Sequence, residues 1–127
     1  MTDTVLNAGT SGGTKTHRFK STGSNKADVA KDAPGQLYGI QAFSTDETPV
    51  YVRVYDKATA PGTSDTPVWE GLVPGSTGGV GSGFLKEWPT GLDVFTAGIG
   101  YRITTGVADS DDTATSANEV IVNFEYK

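Results

Sequence analysis

Two β-type runs, residues 37–44 and 50–56, flank a short polar connection that ends in a proline. The second run, Val50-Tyr51-Val52-Arg53-Val54-Tyr55-Asp56, alternates strictly. Side chains on a strand point to opposite faces in turn, so Val50, Val52 and Val54 predict a buried face. Tyr51, Arg53 and Tyr55 form the other row, aromatic bodies mixed with a charge, suited to a half-wet surface. The pair of runs reads as the central hairpin of an all-β domain.

The same period recurs along the chain. Residues 16–22 place His17, Phe19 and Ser21 on one face, and residues 26–31 suggest a further short strand through Ala27 and Val29. Asp32-Ala33-Pro34-Gly35 is a turn, with Pro presetting φ and Gly relieving the steric limit. After a surface loop at 57–66 comes a strand at 68–73, then a glycine-rich stretch at 74–83 that reads as a crossover between sheets. Residues 84–88 predict a strand broken by Pro89. Residues 91–96 and 99–105 predict a hairpin around Ala97-Gly98, the latter strand alternating Ile99, Tyr101 and Ile103 with Gly100, Arg102 and Thr104. An acidic loop at 109–117 leads to a last strand at 118–126, with Val120, Val122, Phe124 and Tyr126 on one face. Leu and Ala never gather into a helical period. Many short strands separated by turn signals argue for a single β-sandwich, of jelly-roll or Greek-key type given the uneven connections. Residues 1–31 read as an N-terminal arm with weak strands, flexible over 1–14, and residues 32–127 as the sandwich domain.

Composition narrows the picture. A chain of 127 residues with 35% hydrophobic residues suits one domain with a thin core, like the space between two sheets. A net charge of −5 argues against nucleic acid, whose phosphates call for a basic field. With no cysteine, disulfides and thiolate metal sites are excluded. The first residues are polar, with no apolar h-region after them, and no run approaches the ~20 apolar residues of a membrane span. The expectation is synthesis in the cytoplasm, no membrane, and no standard secretory leader.

Candidate chemistry is sparse. The glycine stretch lacks the Lys-Ser/Thr of a phosphate-binding loop, since Phe84-Leu85 follow Gly83. Asp109, Asp111 and Asp112 offer oxygen ligands to Ca²⁺, but without EF-hand spacing they read first as a solvated loop. His17 is the only histidine and reads as a surface residue. No nucleophile elbow accompanies it, so neither a triad nor a zinc site is expected. Glu70, Glu87 and Asp93, near Trp69 and Trp88, are the carboxylates a glycosidase would need. Trp beside acids is also how a sugar-binding module looks, and packing against the opposite sheet explains both tryptophans equally well. Lys15, Arg18 and Lys20 belong to a basic first quarter that could lie on an acidic partner or another copy of the domain. Tyr51, Arg53 and Tyr55 have two readings, packing beneath the long loops or serving as a contact surface. No cofactor and no catalytic residue is expected.

Many short pieces of the chain, in order, resemble a known family. They include Leu37-Tyr38-Gly39-Ile40-Gln41-Ala42-Phe43, Val52-Arg53-Val54-Tyr55-Asp56-Lys57-Ala58-Thr59-Ala60-Pro61, Asp65-Thr66-Pro67-Val68, Val73-Pro74-Gly75, Gly91-Leu92, Thr104-Thr105-Gly106-Val107-Ala108-Asp109 and Asn118-Glu119-Val120-Ile121-Val122-Asn123. The chain is similar, over about residues 36–126, to small proteins encoded among the structural genes of tailed bacteriophages and prophages. The resemblance implies a virion component without a catalytic motif. It would be a capsid decoration (cement) protein on the capsid surface, bound to the major capsid protein and to its own copies as a trimer or other cyclic form. The alternative is a carbohydrate- or receptor-binding module of a fibre or spike.

Overall fold

The computed structural model describes residues 15–127. It contains eight strands: β1 (Lys15–Lys20), β2 (Ala27–Lys31), β3 (Gly35–Ser44), β4 (Val50–Asp56), β5 (Trp69–Val73), β6 (Ser82–Phe95), β7 (Ile99–Thr104) and β8 (Val120–Tyr126). A 3-10 turn, Thr77–Gly79, interrupts the glycine-rich crossover. The expected arm at residues 1–14 lies outside the described residues.

The strands form two antiparallel four-stranded sheets, sheet A in the order β1-β8-β3-β6 and sheet B in the order β2-β7-β4-β5. Pairing β1 with β8, β2 with β7, β3 with β6 and β4 with β5 describes one long antiparallel ribbon, its tip at the loop between β4 and β5. Rolling that ribbon brings β8 against β3 and β7 against β4, which completes both sheets. This is jelly-roll wiring. The core lies between the sheets. Leu37, Ile40, Val122 and Phe124 from sheet A meet Val50, Val52, Val54, Ile99 and Ile103 from sheet B, all buried.

The wiring corrects three readings of the sequence. Residues 37–56 are not a hairpin: β3 is interior to sheet A and β4 interior to sheet B. Alternation identifies which residues face the core but not which strand lies alongside. The link between them is a tight crossing. Ser44 Oγ accepts from the Asp46 amide and Asp46 Oδ1 from the Thr48 amide, both at 2.9 Å, while Asp46 O accepts from the Ser76 amide at 2.8 Å.

Residues 91–105 are likewise not a hairpin, because β6 and β7 lie in different sheets. The Asp56 carboxylate at the end of β4 pins their crossing, accepting from Thr96 Oγ1 and the Ala97 amide at 2.8 Å each. Gly98 is required there, since a Cβ would lie 2.7 Å from Lys31 O and 2.8 Å from Ala58 Cα. Three segments of backbone converge at a point with no room for a side chain.

Finally, Pro89 does not end a strand. β6 runs through it as the edge of sheet A. Glu87 faces Gly39 and Leu92 faces Leu37, so residues 88–91 swing out opposite Tyr38 alone. A proline on an edge excursion has no ladder N–H to lose.

β1 and β2 are full members of the sandwich, each an edge strand. The weak apolar content of these segments reflects their edge position, and Phe19 still reaches the core.

Candidate functional site

The largest concentration of charge lies on the outer face of sheet B. Arg53 on β4 and Arg102 on β7 are Cα partners, and both point away from the core. Both are nevertheless buried, at 0% and 1% exposure. The loop between β7 and β8 folds back over them. Arg53 Nε donates to Glu70 Oε2 and Nη1 to Thr104 Oγ1, both at 2.7 Å, and Nη2 donates to Gly106 O and Val107 O at 2.8 Å. Asp109 Oδ1 lies 3.7 Å from Arg53 Nε. Arg102 Nη1 donates to Asp109 O at 3.1 Å, and its Nη2 to Asp111 O at 2.9 Å and Asp112 Oδ1 at 2.6 Å. Two like charges side by side under a loop hold only because fixed acceptors surround both planar guanidinium groups.

The acidic loop therefore has an internal role. Asp112 bridges Arg102 and Lys26, the latter at 3.4 Å. Asp111 staples the loop upon itself, accepting from the Gly106 amide at 2.9 Å and from the Thr113 amide and hydroxyl at 3.2 Å. Burial pushes the Asp111 carboxyl up, but the Thr113 and Gly106 donors outweigh it and hold the group below the usual range. Among the described residues no three His, Cys, Asp or Glu side chains cluster as a metal site would need.

Of the row Tyr51, Arg53 and Tyr55, the structure buries Arg53 and Tyr55 beneath the loops and leaves Tyr51 half-buried. Arg53 and Tyr55 are thus withdrawn from any contact surface. Burial pushes the Tyr55 hydroxyl up, against the pull of the nearby Arg102 guanidinium. Tyr51 lies with its ring centroid 5.4 Å from Arg53 Cζ and lines a shallow hollow with Leu72 and Val107.

Trp69 and Trp88 do come together. They stand at the side of the sandwich where the edge strands β5 and β6 approach each other, with ring centroids 5.4 Å apart and planes at 81°. Phe84 completes the group at 5.9 Å from Trp69. All three are partly buried and pack against the core, closing the open edge between the sheets. The Trp69 ring tip would lie 2.6 Å from a Cβ on Gly71, and Lys86 Nζ sits 5.3 Å from the centre of the Trp88 ring.

The three carboxylates proposed for hydrolysis are not brought together. Glu70 is spent on Arg53 on the outer face of sheet B, whereas Glu87 faces outward from sheet A. Asp93 lies beyond the β6 excursion.

His17 departs from its expected surface position. It is half-buried, with Nε2 2.9 Å from the Tyr101 hydroxyl and its ring 6.2 Å from Phe124. Lys15, Arg18 and Lys20 are exposed along β1. The glycine-rich crossover is closed by Ser76, whose Oγ accepts from the Gly81 amide at 2.6 Å, and it presents Val80 at 85% exposure.

The sequence reading missed the arginine cage. The available signal was an arginine at an outward position in each of two alternating runs, Arg53 and Arg102, with an acidic run within ten residues of the second. Comparison with protein-family models, with curated proteins and with solved structures returns no match for this chain.

Proposed function

We propose that this chain is a structural virion protein: a capsid decoration protein that binds the outer surface of a tailed-phage capsid through the major capsid protein and stabilises the shell. The observation that carries this reading is the fate of its charges. In the jelly roll, the densest ionisable cluster is consumed as scaffold, Arg53 and Arg102 against the 105–112 loop, while cations on β1 and apolar residues on sheet A stay on the surface. Such a module suits contacts rather than turnover. Jelly rolls serve viral capsids and lectin domains alike, so the step from fold to virion is one of analogy, supported by the resemblance of residues 36–126 to phage structural proteins. Many weak contacts, multiplied by the valency of a shell, suffice to hold neighbouring capsomers together.

The second reading is a carbohydrate- or receptor-binding module, favoured by the meeting of Trp69 and Trp88. A sugar stacks on an open ring face, however, and these rings meet edge to face, with Lys86 over one of them. Closing the sandwich edge accounts for them better.

The test is to mix the purified chain with shells assembled from the major capsid protein alone. Saturable co-sedimentation and a higher temperature of shell rupture are expected. Failure to bind, together with glycan-array binding that Trp88→Ala removes without unfolding, would replace this reading with the second.

A further inference from the structure

Among the described residues, no loop covers the outer face of sheet A as the 105–112 loop covers sheet B, and both signs of charge stand on it. Arg18 and Lys20 point outward at the β1 edge. Phe43 and Leu85 follow toward the β6 edge, 44% and 64% exposed. One residue pair further along the ladder, Glu125 and Glu87 flank Gly39, both as its Cα partners. With no side chain at Gly39, the sheet surface dips there into a groove of 240 Å³. None of Arg18, Lys20, Glu87 and Glu125 has an ion-pair partner within 4 Å among the described residues.

We infer that this face is a self-association surface, pairing with the same face of a second copy about a two-fold axis. The inference does not rest on the virion reading. An axis in the plane of the sheet, passing near Phe43 and Asn123, carries the basic corner of one copy over the acidic corner of the other. It lays the two Phe43 rings together on the axis, at one end of the contact. Each opposite-charge pair then forms twice, as an isologous contact requires. A partner of one charge sign would satisfy only one corner and repel the other, whereas a second copy satisfies both.

The footprint bounds the strength. Four strands span about 19 Å and a six-residue ladder about 20 Å, a footprint at the small end of protein interfaces and suited to a reversible dimer.

The test is sedimentation equilibrium of the full chain across a concentration series, at low and high salt. The wild type is expected to dimerise, and less so at high salt. Arg18→Glu with Lys20→Glu makes one variant, and Glu87→Lys with Glu125→Lys the other. All four positions lie outside the core, so far-UV circular dichroism should show both variants folded. Each variant alone should dissociate at least about tenfold more readily. Mixed in equal amounts, they should pair with each other. Phe43→Ser, which leaves every charge in place, should also weaken the wild-type dimer. A wild type that stays monomeric throughout, or variants that dimerise as it does, or a mixture that fails to pair, would overturn the inference.

Discussion

Arg53 and Arg102 show how a residue's chemistry outruns what its position in a pattern reveals. Both sit in alternate register with core residues, which assigns them to an outer face and nothing more. The register was legible in Val50, Val52 and Val54. The burial was not, because it depends on a loop that begins some fifty residues after Arg53. Arg53 reaches four acceptors in different directions from one planar group. A lysine keeps the charge but not the fork. Arg53→Lys should therefore lower stability by about 1–3 kcal/mol, read as a shift in urea midpoint at constant slope. Arg102→Ala strands the carbonyls of Asp109 and Asp111 and should cost about 2–4 kcal/mol. Arg18→Ala, on an exposed face, should stay within about 0.5 kcal/mol. Equal losses at all three positions would mean that the cage adds nothing.

At the scale of elements, the 105–119 loop and the β5–β6 edge are the two devices that finish the sandwich. In the loop, the Asp111 carboxyl titrates below its ordinary value of 3.8 because the Thr113 and Gly106 donors overcome the effect of burial. A depressed folded value means that the contribution is fully present above the unfolded value and disappears as pH falls through the folded one. Asp56 acts in the same direction, held down first by the Ala97 amide. Urea midpoints should thus hold steady above about pH 5 and fall below about pH 4, and Asp111→Asn should flatten that fall. Neither chelator nor added Ca²⁺ should move the thermal midpoint, since the Asp111 oxygens already serve the loop. At the β5–β6 edge, Gly71 leaves room for the aromatic group. A Cβ there would meet Trp69 Cη2 at 2.6 Å and Phe84 Cζ at 2.9 Å. Gly71→Ala should cost about 1–3 kcal/mol and shift tryptophan emission, as the rings are pushed toward water. Strand positions were readable because a period of two survives in short runs. Strand partners were not, because six of the seven connections cross between sheets, and a crossing of five residues such as 45–49 looks like a hairpin loop in sequence. Pro89 misled for a related reason: it forbids a ladder N–H, and an edge excursion needs none.

For the molecule as a whole, the jelly roll decides where the chain can be cut. The sequence suggested a division at residue 31, with everything before it peripheral. The ladders put β1 and β2 inside the sandwich. β1 pairs with β8 over six residue pairs, from Lys15 opposite Tyr126 to Lys20 opposite Ile121. β2 pairs with β7 and covers Ile99 and Tyr101. Phe19 and Ala30 belong to the core, and Ser21 Oγ bonds the amides of Glu119 and Val120 at 3.2 and 3.1 Å. Removing residues 1–31 strips an edge strand from each sheet at once. It exposes the flanks of β7 and β8 and deletes part of the core, so the remainder should be unfolded or aggregated. Removing residues 1–14 leaves every one of these pairings in place, and the thermal midpoint should change by no more than about 2 °C. If the chain decorates a capsid as proposed, and its leading segment makes the contact, the shorter truncation should remain a folded jelly roll that no longer co-sediments with capsids. Unchanged binding would move the contact onto the sandwich itself. The two truncations test whether the leading segment serves binding separately from the strands that serve the fold.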